Sequence, residues 1–136
     1  MIALVDTGFL YALFDASDMH HKDAVEALQT PGLEPLLPDT VIVELAYLLQ
    51  ARLGHAQMRA YLKDLLTDLV LVSLNPEDLP RINTLLAEYA DANLDFVDAS
   101  IVAMAERLHV RHILTIDRRD FLLIRPKHIQ YFTILP

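Results

Sequence analysis

The chain of 136 residues contains no cysteine and no tryptophan, and only three of its residues are glycine. Without cysteine it forms no disulfides, thiolate metal sites or cysteine nucleophile. Hydrophobic residues make up 54% of the chain, which excludes a disordered or collagen-like protein. The longest apolar runs, such as residues 1–5, fall far short of the ~20 residues of a transmembrane helix. No signal-peptide pattern precedes them, so we expect a cytoplasmic protein without membrane contact.

Several common catalytic motifs are also absent from the sequence. Neither a G-x-G-x-x-G loop nor a Walker A loop is found, so a nucleotide cofactor is not expected. No serine stands in a G-x-S-x-G setting, which leaves nucleophilic acyl transfer unsupported. No internal repeat or Gly/Ser-rich linker divides the chain, and we therefore expect a single domain over residues 1–136.

The charges of the chain are unevenly distributed. The net charge is −8, which by itself argues against a nucleic-acid partner. Residues 107–136, however, carry six of the eleven Lys and Arg and only two of the nineteen Asp and Glu. An acidic body with a basic end is compatible with a metal site beside a phosphate-binding edge. It is equally compatible with a solvated surface, which on charge alone is the simpler interpretation.

Short apolar runs alternate with amphipathic stretches along the chain. The runs predict strands at residues 1–5, 35–37, 69–74, 112–116 and 131–135. The stretches between them predict helices at about residues 9–14, 20–29, 39–53, 56–67, 76–89 and 96–108. Strands that alternate with helices in this way are typical of an α/β fold. We therefore expect an open parallel sheet of four to five strands with helices on both faces.

Two predicted helices carry an acid on their apolar face. Glu44 lies three residues after Val41 and four before Leu48, within the apolar stripe of its helix. Asp98 lies three residues before Ile101, on the inward side of the later helix. Burying an ionised carboxylate without a partner costs several kcal/mol, so both placements need a compensating group.

Two further acids directly follow apolar strands. Asp6 comes after the first strand and Asp117 after the fourth. The carboxyl ends of parallel strands line the ligand crevice of an open sheet, where all four acids can converge. Two carboxylates 4 Å apart repel by roughly 4 kcal/mol at an effective dielectric constant of 20, so a cation or protons must neutralise them. Oxygen ligands suit Mg²⁺ or Mn²⁺, which often act on phosphate esters.

Each acid also has an ordinary structural interpretation. Asp6 is a suitable N-cap and Asp117 a suitable turn residue. Glu44 can pair with a buried arginine, and Asp98 can complete a capping box with Asp95, itself first a helix cap and second an accessory ligand. Taken singly, these interpretations are at least as good as the functional one. Taken together they require four coincidences, which favours one shared site.

The order and spacing of these residues resemble a known family. Over nearly its whole length the chain is similar to PIN domains, specifically the VapC-type ribonuclease toxins of bacterial toxin–antitoxin modules. The motifs that carry the resemblance are Val5–Gly8, Asp18–His21, Val43–Leu45, Leu94–Ala99 and Leu114–Phe121. The resemblance implies a sheet ordered 3-2-1-4-5 and Mg²⁺- or Mn²⁺-dependent endoribonuclease activity. It also implies a homodimer and inhibition by a cognate antitoxin.

The resemblance assigns roles to individual residues. The acidic catalytic quartet of the family falls on Asp6, Glu44, Asp98 and Asp117. The three aspartates would hold the metal, and Glu44 would hold metal or position the attacking water. The supporting residues around them would be Thr7, Asp95 and Thr115.

The chain departs from the family pattern at one position, and its basic segment offers candidates for RNA binding. Gly8 stands where the family often has Ser or Asn, which makes Thr7 the better supporting candidate. Arg118 and Arg119 follow Asp117 and are candidates for RNA phosphate contact; the alternative is a solvated loop.

Three other functions remain as alternatives. A haloacid-dehalogenase-type phosphatase requires a second Asp at the position of Gly8. A receiver-like signalling domain requires an Asp after the third strand, where Asn75 and Pro76 stand instead. The third alternative is a nuclease-inactive PIN-like binding domain, and only the presence of all four catalytic acids argues against it. The RNA target, and cleavage of DNA as well, stay open at this point.

Overall fold

The computed structural model describes all 136 residues, which form five β-strands and seven α-helices. The strands are β1 (Ile2–Val5), β2 (Glu34–Pro38), β3 (Val70–Val72), β4 (His112–Leu114) and β5 (Thr133–Leu135). The helices are α1 (Thr7–Phe14), α2 (His21–Leu28), α3 (Asp39–Leu53), α4 (His55–Asp68), α5 (Asp78–Glu88), α6 (Phe96–Leu108) and α7 (Arg119–Leu123). A 3₁₀ turn spans Ala90–Ala92. None of the helices is long and apolar enough to cross a membrane.

All five strands belong to one parallel sheet in the order β3-β2-β1-β4-β5. The expected α/β class and the strand order 3-2-1-4-5 are thereby confirmed. Because parallel crossovers are right-handed, α1–α4 cover one face of the sheet and α5 and α6 cover the other. The strand order reverses direction at β1, and a ligand crevice is expected at such a switch point.

The carboxyl ends of the two central strands, β1 and β4, lie side by side at one edge of the sheet. The side chains of Leu4 in β1 and Ile113 in β4 are fully buried, as expected for strands covered on both faces. The β1–β4 register pairs Val5 with Leu114. The next residues along each strand, Asp6 and Thr115, are therefore neighbours at the carboxyl edge of the sheet.

Three predicted strands, β3, β4 and β5, are too long, and one helix was not predicted. β5 begins only at Thr133, where its pairing with β4 begins. β3 covers only Val70–Val72, at the edge of the sheet, and β4 ends at Leu114 because pairing with β5 stops there. The additional helix, α7, contributes the buried Phe121 to the core. A helix of five residues is too short to produce a recognisable apolar period.

The start of α3 is tied to the end of the neighbouring strand. Pro38, and not Asp39, is the N-cap residue, and the Asp39 carboxylate instead accepts the backbone N–H of Leu74 at 3.1 Å. This contact ties the start of α3 to the loop after β3. The end of α3 is as expected, because Gly54 has a φ of +96°, which only glycine adopts without strain.

Candidate acidic active site

Asp6 lies at the centre of the carboxyl edge of the sheet, and its side chain is only 7% exposed. Its Oδ1 atom accepts the backbone N–H of Phe9 at 2.9 Å, so Asp6 is the N-cap of α1. This agrees with the structural interpretation of Asp6 given in the sequence analysis. Its Oδ2 atom accepts the hydroxyl of Thr115, the neighbour that the strand register provides. Both oxygens are thereby held, and the carboxylate has a fixed orientation.

The electrostatic surroundings of Asp6 are negative. Burial raises the pKa of Asp6 from 3.8 to about 6, although the hydrogen bonds from Thr115 and Phe9 act in the opposite direction. The charges of Glu44 and Asp117 raise this pKa further. Two of the acids singled out in the sequence are thus close enough to Asp6 to act on it.

Asp98 lies in the first turn of α6. The Asp95 carboxylate accepts the backbone N–H of Asp98 at 2.8 Å and caps the helix, as predicted. The reciprocal bond of a capping box is absent, and no cation pairs with the Asp98 side chain. Burial raises the pKa of Asp98 from 3.8 to about 8, and the charges of Asp95, Asp6 and Asp120 contribute to this increase. Asp98 is therefore a partly buried carboxyl group without a cationic partner.

Asp120 is a member of the cluster that the sequence interpretation missed. Its carboxyl group lies close enough to Asp98 to help raise the pKa of Asp98, a smaller effect than that of burial. Its Oδ1 atom is buried and has no hydrogen-bond donor, and the nearest cationic atom, Nε of Arg119, is 3.7 Å away. The available signal was an acid immediately before the apolar Phe121 at the start of α7.

Glu44 approaches the cluster from α3. Its side chain is half-buried and forms no ion pair, so the expected alternative, a buried arginine partner, is wrong. One turn earlier in α3, the hydroxyl of Thr40 lies 2.7 Å from that of Ser100 in α6. This contact holds together the two helices that carry Glu44 and Asp98.

Asp117 lies in the segment that follows β4. Its side chain is exposed, and its Oδ1 atom accepts the backbone N–H of Arg119 at 3.2 Å, as a turn residue does. The Thr115 hydroxyl, which contacts Asp6, also lies 3.0 Å from the carbonyl oxygen of Asp117. Thr115 therefore connects the two strand-end acids. The remaining supporting candidate, Thr7, is buried with a hydroxyl that has no partner.

The two candidate RNA-binding arginines differ in their surroundings. The Arg119 guanidinium donates to the carbonyl oxygen of Ala92 at 2.9 Å and so ties its segment to the 3₁₀ turn. The Arg118 side chain is exposed and makes no hydrogen bond or ion pair. Of the two, only Arg118 has its guanidinium entirely available to a ligand.

The chemistry of the cluster fits a hard divalent cation. No three His, Asp or Glu side chains are grouped as closely as one shared ion requires, so binding would need side-chain rotation. The available donors are carboxylate and hydroxyl oxygens, the ligand type that Mg²⁺ and Mn²⁺ prefer. The unpartnered Oδ1 of Asp120 is one such donor. A cation would also offset the burial and, secondarily, the neighbouring charges that raise the pKa of Asp6 and Asp98.

Comparison with known proteins gives a consistent result. A sequence model described as the PIN domain matches residues 3–125. Ribonuclease VapC26 of Mycobacterium tuberculosis is 30% identical over 134 residues, which cover 98% of this chain and 99% of that protein. The crystal structure of VapC20 of Mycobacterium tuberculosis, a toxin described as cleaving the sarcin–ricin loop, has a TM-score of 0.83 at 23% identity. That alignment covers 96% of this chain and 99% of VapC20.

A second structural relative is a toxin–antitoxin complex from Klebsiella pneumoniae. It matches with a TM-score of 0.67 and 23% identity, over 96% of this chain and 99% of that chain. At this level of identity, the two solved structures establish a shared fold. The family itself is established by the sequence model and by the relative at 30% identity.

Proposed function

Because the chain belongs to the PIN domain family, we propose that it is a divalent-metal-dependent endoribonuclease and the toxin of a toxin–antitoxin pair. The observation that carries the proposal is the set of acids around the buried Asp6, which includes two carboxyl groups with strongly raised pKa values. The likeness to Ribonuclease VapC26 supports RNA as the substrate. We also propose the cytoplasm as the place of action.

We assign the acids as follows. Asp6, Asp98 and Asp117 would hold Mg²⁺ or Mn²⁺, and Asp120 would join them through its unpartnered oxygen. Such a cation, when bound, lowers the pKa of water and neutralises charge that develops on a phosphodiester. Glu44 would orient the water and accept its proton.

The other residues of the site act by positioning the acids. The Thr115 hydroxyl and the Phe9 N–H fix the two oxygens of Asp6. Asp95 caps α6 and thereby sets the position of the turn that carries Asp98. Thr7 follows Asp6 at the start of α1, and its unpaired hydroxyl is buried, so it would support the site from within the fold and not bind substrate. A preformed arrangement of this kind lowers the reorganisation that the reaction requires.

We further propose a cognate antitoxin and a homodimer as partners. The Klebsiella pneumoniae relative is a toxin–antitoxin complex, which supports a protein inhibitor here. For the homodimer, the support is an apolar groove of about 500 Å³ between α3 and α6. Its walls include Val43, Tyr47 and Phe96, which are 76%, 71% and 45% exposed. An exposed apolar surface of this kind is typical of a protein interface.

The activity is tested by comparing the wild type with Asp6→Asn on RNA, with Mg²⁺ or Mn²⁺ and with chelator. We expect the wild type to cleave only with metal, and the variant to lose at least about 100-fold in rate because a metal ligand is lost. Asn keeps an oxygen that caps α1, so the fold is preserved. Asp91→Asn, which removes an exposed acid from the 3₁₀ turn, is the matched control. A wild-type rate for Asp6→Asn in Mg²⁺ would show that the site is assigned wrongly.

A further inference from the structure

A second pocket, lined mostly by polar residues, shares Thr115 with the acid cluster. It has a volume of about 230 Å³ and is located between the start of α2 and the segment that follows β4. Its walls are formed by His20, Asp23, Thr115, Ile116, Arg118 and Pro136. Only Ile116 and Pro136 are apolar, so the pocket is suited to a polar or charged ligand.

The hydrogen-bond donors of this pocket are not engaged elsewhere. The Arg118 guanidinium and the His20 imidazole form no hydrogen bond or ion pair within the chain. The backbone N–H of His20 is held at 2.8 Å by the Asp18 carboxylate, which fixes the turn that presents the imidazole. Two donors from distant parts of the sequence therefore face one cavity and lack an internal acceptor.

The position of the pocket connects it to the reaction. Thr115 forms part of its wall and also contacts Asp6, so a ligand in the pocket lies beside the acid cluster. The acid cluster itself repels an RNA backbone, and the chain as a whole carries a charge of −8. A substrate phosphodiester chain must therefore be held by donors next to the cluster.

We propose that this pocket binds the phosphate of a nucleotide adjacent to the cleaved bond, with Arg118 and His20 as the donors. The inference rests on the proposed ribonuclease function and adds a substrate-binding subsite to it. Arg118 supplies a planar guanidinium that pairs with two phosphate oxygens, and His20 supplies one ring N–H. Ile116 and Pro136 limit the size of the subsite to a small group.

Replacing Asp23 should change phosphate binding in the direction opposite to replacing Arg118 or His20. Its carboxylate also lines the pocket and has no hydrogen-bond or ion-pair partner. Its negative charge opposes an anion in the pocket, so Asp23→Asn should strengthen phosphate binding. Damage to the fold weakens binding in every variant, and therefore cannot produce a gain in one and a loss in the others.

The experiment measures binding of a mixed-sequence single-stranded RNA by fluorescence anisotropy, in chelator so that no cleavage occurs. Arg118→Ala and His20→Ala should each weaken binding by about three- to tenfold, and Arg118→Ala should lower the slope of log affinity against log salt by about 0.7. Asp23→Asn should tighten binding by about two- to threefold. Arg111→Ala and His55→Ala remove the same groups from sites outside the pocket and should leave the affinity within about twofold.

Arg118→Lys keeps the charge without the planar fork, and it should recover part of the affinity that Arg118→Ala loses. Equal losses in Arg118→Ala and Arg111→Ala, or no RNA binding by the wild type, would overturn the subsite. The subsite would also be overturned if Asp23→Asn bound RNA more weakly than the wild type. The cleavage assay is independent: a wild type that cleaves RNA without dependence on Arg118 or His20 refutes only the subsite. A wild type that binds RNA through them and never cleaves refutes only the ribonuclease.

Discussion

Replacing Asp98 with Asn tests the acid cluster without any substrate. The substitution keeps the shape of the side chain and removes its charge, and the new amide can donate to the neighbouring Asp120 carboxylate. If the acids around Asp6 repel one another, the metal-free variant should be more stable than the wild type. The stabilisation that Mn²⁺ gives to the wild type should be lost, because a ligand is missing.

The magnitude follows from the pKa of Asp98, which is about 8 in the folded protein against the ordinary 3.8. Between these pH values the folded chain holds a proton that the unfolded chain releases. The free energy of unfolding of the wild type therefore falls as the pH rises, by at most about 1.4 kcal/mol per pH unit. Solvent reaches the partly exposed carboxyl group and screens it, so we expect a net advantage for the variant of about 1 to 2 kcal/mol at pH 7.

The assay is a series of thermal melts from pH 4 to pH 8, in chelator and in millimolar Mn²⁺. The two proteins should differ least near pH 4, where Asp98 is protonated in the folded wild type and a substantial fraction of it is protonated in the unfolded chain as well. The variant should melt higher as the pH rises, by about 3 to 7 °C at pH 7. Asp91→Asn removes the same charge from a neighbouring exposed position and should follow the wild type in both series.

One pattern would refute the reasoning. If Asp98→Asn melts below the wild type in chelator, and Mn²⁺ moves neither midpoint, then Asp98 is a structural residue whose charge stabilises the fold. The cluster would then be neither repulsive nor a metal site. A pH-independent difference between the two proteins would likewise contradict the raised pKa of Asp98.

Two further predictions concern other parts of the molecule. Gly8→Ser should fit, because its Cβ would lie 3.8 Å from Oδ1 of Asp6, which is an ordinary contact. We expect the free energy of unfolding to rise by about 0.5 kcal/mol and Mn²⁺ to bind more tightly. A lower melting temperature of the variant would contradict this prediction. Tyr47→Glu places a charge in the apolar groove and should shift a dimer toward monomer in sedimentation experiments. Gln50→Glu, on an exposed part of α3 outside the groove, should have no such effect, and identical sedimentation of both variants would remove the groove from the interface.

The elements of the fold could be predicted from local pattern, but their limits could not. Apolar residues continue past the paired part of a strand, as Leu74 does after β3 and Ile116 does after β4, so both strands were drawn too long. Strand order depends on contacts between residues far apart in sequence, and local periodicity carries no information about them. The order was correct because the family resemblance supplied it.

The site was predictable where an acid contradicts its surroundings. Glu44 and Asp98 interrupt apolar stripes, and Asp6 ends an apolar strand; all three lie at the acid cluster. Asp120 could not be found this way, because only the short helix α7 turns it toward Asp98. Asp6 also shows that a structural and a functional interpretation can both hold, since one of its oxygens caps α1 while the other faces Thr115.

The hydrogen bond between Asp6 and Thr115 joins residues 109 positions apart in the chain. A ribosome releases Asp6 early, but Thr115 and the acids Asp117 and Asp120 follow only after more than 100 further residues. The acid cluster therefore cannot form until these residues have left the ribosome, whatever local structure the first helices have acquired. As the proposed nuclease, the nascent chain would stay inactive until β4 and α7 have been synthesised.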